Sequence, residues 1–327
     1  MKKNIAIVAG GNQSEVVVSL RSAAGIYSFI DKEKFNLYIV TIIGKEWTVE
    51  YAGEKITIDK NDFSFTYNNE KITFDFAYIT IHGMPGEDGK LQGYFDLLEI
   101  HYSSSGVLTA ALTFNKFFCN NYLKSFGIKV AESILLRKGE SFSAEKIAKK
   151  LGLPCFIKPN AGGSSFGVTK VKNTEQILPA IEKAFAEGDE VIMESFLSGT
   201  EVTCGIYKAK NKKTVLPVTE VVSENEFFDF NAKYNGQVKE ITPARLSEEL
   251  TKKVQQLTSF IYDMIGAKGI VRIDYIITEG ETIHLLEVNT NPGMTATSFI
   301  PQQVKAAGLS MTDVMTEVIE NNIISDE

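Results

Sequence analysis

Residues 4–9 form a short apolar run (NIAIVA) that ends in Gly10-Gly11. A segment at 16–30 follows, with Val17, Leu20, Ala24 and Tyr27 at helical spacing, and then a second apolar run at 37–42. A third run at 76–81 (FAYITI) ends at His82-Gly83. Strands that are apolar on both sides must be covered on both sides. Strand, glycine turn, helix and strand again therefore dictate a parallel α/β sheet. Ligands of such sheets sit beyond the carboxyl ends of the strands, which is where the loops at Gly10 and His82 fall. Residues 45–75 read as a hairpin insertion with a turn at Asn68-Asn69.

The same alternation continues. Helices are expected at 113–126, 144–151, 174–185 and 247–265 and near 310–321. Strands are expected at 154–158, 191–194, 201–206, 271–277 and 283–288. At about 100–200 residues per domain, 327 residues make two or three domains. With 34 Lys+Arg against 41 Asp+Glu the net charge is −7, which argues against nucleic acid or an anionic membrane as partner. No run of eighteen apolar residues occurs, and the opening apolar stretch is too short for a signal-peptide core. Cys119, Cys155 and Cys204 lack metal-ligand spacing and read as reduced thiols of a cytosolic protein.

Three motifs carry chemistry. Lys158 leads from a strand into Pro159-Asn160-Ala161-Gly162-Gly163-Ser164-Ser165-Phe166-Gly167. Such a loop can turn N–H groups toward phosphate oxygens beside the lysine charge, or it can be a plain surface hairpin. Neither a Walker A loop nor a G-x-G-x-x-G turn occurs, which removes most support for a dinucleotide enzyme. Arg272-Ile273-Asp274 and Glu287-Val288-Asn289 lie on two adjacent strands that would bring Asp274 beside Glu287. These oxygen ligands suit Mg²⁺ shared with phosphate, with Arg272 placed to stabilise an oxyanion; the alternative is a salt-bridged strand pair. Glu194 to Glu201 reads as a turn between strands, suited to an interdomain hinge that holds a nucleoside.

In this order the motifs resemble the ATP-grasp superfamily and, within it, the D-alanine–D-alanine ligase family. Gly10-Gly11 with Ser14-Glu15 and Val18-Ser19-Leu20 resembles its opening motif. His82-Gly83, Gly86-Glu87-Asp88-Gly89 and Leu91-Gln92-Gly93 resemble its second. The glycine-rich loop, Phe228-Asp229 with Ala232-Lys233-Tyr234, Arg272-x-Asp274, and the run from Glu287 to Thr295 complete the match, nearly end to end. Two departures stand out: Ser195 occupies a common lysine position, and the loop after Tyr234 lacks a Thr-x-Tyr pattern.

The resemblance implies three α/β domains, expected at 1–104, 105–199 and 200–327, with ATP gripped between the second and third. It implies a cytoplasmic homodimer that joins two D-alanines for peptidoglycan precursors, with no nucleic acid or membrane partner. Lys116, Lys158 and Lys233 would contact ATP, with Glu194, the backbone at Phe196 and Leu197, and Glu201 holding adenosine. Asp274, Glu287 and Asn289 would bind two Mg²⁺ (or Mn²⁺) ions. Glu15, with His82 nearby, would take the ammonium of the first D-alanine, and Ser298 the carboxylate of the second. Arg272 and the Gly293 amide would form the oxyanion site. Ser164, Tyr234 and Glu15 would form a hydrogen-bond chain under a closing loop at 227–243. D-Lactate or D-serine as acceptor, or a non-catalytic nucleotide-binding protein, are the competing readings. The second would be expected to lack the metal ligands or Arg272, all of which are present.

Overall fold

The computed structural model describes residues 2–12, 15–163, 166–209, 211–223 and 238–324. Its first sheet contains β1 (Lys3–Gly10), β2 (Phe35–Ile43), β3 (Glu46–Tyr51) and β4 (Glu54–Thr57). After a separate hairpin of β5 (Phe65–Tyr67) and β6 (Glu70–Ile72), β7 (Phe76–Ile79) and β8 (His101–Tyr102) complete it in the order β4-β3-β2-β1-β7-β8. β1 pairs in parallel with β2 and β7, and β7 with β8, as the apolar runs require. The β5–β6 turn is at Asn68 and Asn69, both with positive φ, the conformation a two-residue hairpin loop demands.

Helix α1 (Val16–Phe29) packs on this sheet, but not through the expected stripe. Val17, Leu20 and Tyr27 are 57%, 40% and 37% exposed, whereas Ser19, Ser22, Ala23 and Ile26 are buried. The buried serines face polar backbone at the sheet's carboxyl end. Ser19 Oγ accepts from Gly10 N (3.0 Å) and donates to the Thr80 carbonyl (2.8 Å). Polar satisfaction, rather than apolar area, sets the rotation of this helix.

Helix α2 (Lys90–Leu97) precedes α3 (Val107–Phe114) and α4 (Lys116–Lys124). Where one helix was expected over 113–126 there are two. Asn115 breaks the run with φ −89° and ψ 98°, and its side chain caps α4 by accepting from Phe118 N. β9 (Lys129–Val130) follows. The second sheet is antiparallel, ordered β10 (Ser133–Arg137), β13 (Glu190–Ser195), β11 (Cys155–Pro159), β12 (Thr169–Val171). Helices α5 (Ala144–Leu151) and α6 (Ile177–Phe185) cover it around Ile147, Ile157, Ile181 and Met193.

The third sheet holds β14 (Gly199–Ala209), β15 (Lys212–Val215), β16 (Thr219–Ser223), β17 (Val238–Ile241), β18 (Ile270–Thr278) and β19 (Thr282–Asn289), with β9 at its edge. Helix α7 (Glu248–Met264), capped by Ser247, packs Val254 and Ile261 against it together with Cys119 and Leu123 of α4. Helices α8 (Phe299–Ala306) and α9 (Met311–Ile324) bridge to the first sheet. Ile300, Met315 and Tyr207 share one core with Ile7 and Ile26. That shared core fixes the third sheet against the face of the first sheet on which α1 packs. Among the described residues no helix is long and apolar enough to cross a membrane. The three cysteines are free and buried, and burial pushes the Cys119 and Cys204 thiols up to about 12.

Candidate active site

β18 and β19 run antiparallel, with Asp274 opposite Glu287 and Arg272 opposite Asn289. Directly opposed residues, and residues two apart, project from the same face, so all four side chains meet. Arg272 Nε and Nη2 donate to the two Asp274 oxygens at 2.9 and 2.7 Å, and Nη2 lies 3.9 Å from Glu287. Thr203 Oγ1 donates to Asp274 at 2.5 Å, and Asn289 Nδ2 donates to it at 3.1 Å. Burial opposes the Arg272 charge, but Asp274, Glu287 and Glu201 outweigh it and hold the guanidinium cationic. The guanidinium carbon stands 5.3 Å from the Phe299 ring centre.

A cavity of about 500 Å³ lies beside this cluster, between the second and third sheets. Lys116, Lys158, Glu194, Phe196, Leu197 and Glu201 all line it. Lys158 and Glu194 form a buried ion pair at 2.6 Å, and Asn120 Nδ2 donates to the other Glu194 oxygen at 3.2 Å. Lys116 follows the Asn115 cap directly. Its ammonium donates to the Gly162 carbonyl and stands 3.8 Å from Glu287. The Phe196 ring is covered by Lys170 (4.1 Å to the centroid) and flanked by Phe156 (6.0 Å). Ser195 also lines this cavity. Its Oγ accepts from Glu132 N at 3.1 Å, so the hydroxyl binds the start of the second sheet.

A smaller cavity of about 160 Å³ adjoins the first, sharing Lys116, Gly163, Arg272 and Glu287 in its wall. Glu15, His82, Asn289, Gly293 and Ser298 line it. Glu15 is 5% exposed, and a Cβ on Gly163 would stand 3.0 Å from its Oε1, so the glycine loop lies against this carboxylate. His82 Nε2 is 3.3 Å from Ser22 Oγ, which also accepts from Met294 N at 3.4 Å. Ser298 Oγ accepts from Thr295 N at 3.0 Å and stands beside Gly293. Asn291 donates to the Gly86 carbonyl at 2.9 Å, which explains the polar run after β19: it ties the third sheet to the loop following β7.

Glu87, within Gly86-Glu87-Asp88-Gly89, also lines this cavity, a role its motif alone does not reveal. Its carboxyl accepts from Gly83 N at 2.7 Å. Burial, and then Glu15, push it up to about 8 against the opposing Gly83 N–H and Lys116. Ser19, Ser22, Asn120 and Thr203 also escaped notice as positioning residues, because each acts through a hydrogen bond between elements far apart in sequence. On β19, His284 has its Nδ1 buried without a hydrogen-bond partner among the described residues, and burial and Lys129 lower its pKa. Ser164, Lys233 and Tyr234, and with them the expected hydrogen-bond chain and closing contacts, lie outside the described residues.

Among the described residues no group of three His, Cys, Asp or Glu side chains forms a metal site by itself. Asp274, Glu287 and Asn289 nevertheless fit Mg²⁺. They are hard oxygen donors on one face, and Mg²⁺ is commonly held by one or two carboxylates plus substrate phosphates. Half a turn of the Asn289 amide presents its oxygen in place of its nitrogen.

Residues 4–105 match the family model described as D-ala D-ala ligase N-terminus, and residues 122–320 match the one described as D-ala D-ala ligase C-terminus. The D-alanine--D-alanine ligase of Bacteroides fragilis is 68% identical over 322 residues, covering 98% of this chain and 99% of that protein. Among solved structures, the VanG D-Ala:D-Ser ligase from Enterococcus faecalis superposes with a TM-score of 0.86 at 32% identity, covering 98% of this chain and 100% of that one. D-alanyl-alanine synthetase A from Vibrio cholerae gives a TM-score of 0.88 at 27% identity, covering 99% of each chain. With both family models matched in order and a close relative aligned along nearly its whole length, the chain belongs to the D-alanine–D-alanine ligase family of the ATP-grasp superfamily.

Proposed function

We propose that this chain joins two D-alanines into D-alanyl-D-alanine with conversion of ATP to ADP and phosphate, supplying the dipeptide for peptidoglycan precursors. The observation that carries this reading is the shared wall. A nucleotide-sized cavity opens onto a small polar one across Lys116, Arg272 and Glu287. A γ-phosphate in the first is thereby set against a carboxylate in the second.

In this reading ATP lies with adenosine against Phe196, Leu197 and Glu201. Its phosphates meet Lys116 and Lys158, with Glu194 fixing the Lys158 ammonium, and Lys233 joins them. The donor D-alanine binds by its ammonium to Glu15, beside His82. One oxygen of its carboxylate attacks the γ-phosphorus and ADP leaves, giving D-alanyl phosphate. The acceptor binds by its carboxylate at Ser298. Its neutral amine attacks the acyl carbon, and the tetrahedral oxyanion is held by Arg272 and the Gly293 N–H. Phosphate then leaves with the donor's oxygen, and the nitrogen gives up its extra proton to the departing phosphate, leaving the neutral amide. Phosphoryl transfer needs mainly positioning and neutralised charge, which the lysines supply. Asp274, Glu287 and Asn289 would hold two Mg²⁺ or Mn²⁺ ions, whose chemistry is to neutralise phosphate oxygens.

We read the chain as domains 1–104, 105–199 and 200–327, with α4 and β9 of the middle range packed on the third sheet, and the protein as a cytoplasmic homodimer, as its family resemblance implies. The activity is tested by phosphate release with D-alanine, L-alanine and D-lactate, alone and in pairs. D-Alanine alone is expected to suffice and L-alanine to fail. Equal turnover with both enantiomers would contradict the reading.

A further inference from the structure

The two lysines of the larger cavity come from different layers. Lys158 lies on β11 of the second sheet, whereas Lys116 opens α4, which packs on the third. One residue joins the layers between them. Asn160 follows β11 at the start of the glycine-rich loop and is 0% exposed. Its backbone N–H donates to the Glu190 carbonyl at 2.9 Å, which holds it to β13. Its carbonyl accepts from Lys116 N at 3.1 Å, and its Oδ1 accepts from Phe117 N at 2.9 Å. These are the first two N–H groups of α4, which no carbonyl within the helix can satisfy. The bridge between Asn115 and Ala161 continues the seam, and the Lys116 ammonium closes it at the Gly162 carbonyl.

The side chain can serve α4 in one orientation only, because an amide has an acceptor end and a donor end. Asn160 Nδ2 donates to Glu190 Oε2 at 2.7 Å, so that carboxylate fixes Oδ1 toward Phe117 N. Glu190 is held in turn by Arg137 Nε at 3.0 Å and Asn115 Nδ2 at 3.3 Å. We propose that Asn160, oriented by Glu190, is a positioning residue for phosphoryl transfer: it holds the Lys116 ammonium at a fixed place against Lys158 and the glycine-rich loop, across the cavity between the two sheets. The proposal rests on Lys116 acting on the ATP phosphates, as argued above. Transfer between held groups is steep in distance, so a small shift of α4 costs rate even with every reacting group present.

The test uses the polarity of the Asn160–Glu190 pair. Asn160→Asp keeps the shape and an acceptor for Phe117 N but sets two carboxylates against each other. Adding Glu190→Gln restores one donor facing one acceptor, with the direction of the hydrogen bond reversed. Steady-state kinetics on the parent, Asn160→Asp, the double variant and Lys116→Met give kcat and the KM values for ATP and the acceptor D-alanine. Asn160→Asp is expected to raise the KM for ATP about tenfold and lower kcat about 10²-fold, with the acceptor KM unchanged. The double variant should return both to within a few-fold of the parent. A purely structural role would lower the yield of folded enzyme and leave both KM values alone. If Lys116→Met weakens ATP but Asn160→Asp does not, Asn160 does not position the lysine, while the phosphate role of Lys116 stands. If Lys116→Met changes neither kcat nor the KM for ATP, that role is wrong and the inference falls with it. Where Asn160→Asp alone does not fold, the double variant decides: one that folds with the loss undiminished, or one that does not fold either, overturns the proposal.

Discussion

Arg272 and Asp274, two residues apart on one strand, bind each other through a pair of hydrogen bonds at 2.9 and 2.7 Å in a nearly buried setting. The planar fork of the guanidinium is oriented by the same carboxylate proposed as a metal ligand. Removing the Asp274 charge leaves a buried guanidinium with Glu287 at 3.9 Å as its nearest remaining carboxylate. Asp274→Asn should therefore lower the stability of the ligand-free protein by roughly 3–5 kcal/mol, the range for removing one partner of a buried pair. Glu287→Gln should cost about 1 kcal/mol or less, since its side chain is 29% exposed and its contacts are long. Urea denaturation of both variants measures the difference. Equal losses would mean that Asp274 is not the principal partner of Arg272. In the presence of ATP both variants should need more Mg²⁺ for half-maximal activity, and unchanged metal dependence in both would remove them as ligands.

Arg272→Lys keeps the charge but gives up the planar fork. The expected loss in kcat is about 10²–10³, the scale for one oxyanion donor, with little change in ATP affinity. Steady-state kinetics with saturating D-alanine checks this. A kcat within a few-fold of the parent would make Arg272 a strut for β18 and β19 only.

The Glu87 carboxyl gives a pH dependence with a definite sign. Its value in the folded protein is raised from 4.5 to about 8, first by burial and then by Glu15. The folded state therefore binds this proton more tightly than the unfolded chain. The stabilisation is fully present below about pH 4.5 and is lost as pH rises through about 8. Between these limits the melting temperature of the ligand-free, chelator-treated protein should fall more steeply for the parent than for Glu87→Gln. Parallel slopes would show that Glu87 titrates as an ordinary carboxyl.

Much of this arrangement was legible in the chain, and the limits have physical causes. The apolar run before Gly10-Gly11 could only be a buried parallel strand, and β1 is one. The motifs Arg272-x-Asp274 and Glu287-x-Asn289 predicted an opposed pair, and the register places Asp274 against Glu287. What failed was what depends on tertiary partners. The stripe Val17, Leu20, Tyr27 looked like the packed face of α1, yet Ser19 and Ser22 are buried because the site loops need their hydroxyls. The break at Asn115 was hidden in a helical composition, since only its cap and the bridge to Ala161 reveal it. Glu87 and the Lys158–Glu194 pair could not be read from spacing, as their chemistry comes from burial and from groups on other strands.

Asn115 also offers a test of how Lys116 is placed. Its side chain caps α4 and donates to Glu190 at 3.3 Å. Asn115→Ala should cost about 1 kcal/mol of stability, typical of a lost cap, and raise the KM for ATP because Lys116 is the first residue of that helix. A stability loss with unchanged KM would show that Lys116 is positioned by its bond to Gly162 alone.

In the proposed reaction the γ-phosphate passes to the donor carboxylate across the wall formed by Lys116, Arg272 and Glu287. D-Alanine labelled with ¹⁸O in both carboxylate oxygens, turned over with unlabelled ATP, tests this directly by mass analysis of the phosphate released. One ¹⁸O atom per phosphate is expected, in step with dipeptide formed. Phosphate free of label, at the same yield of dipeptide, would contradict it.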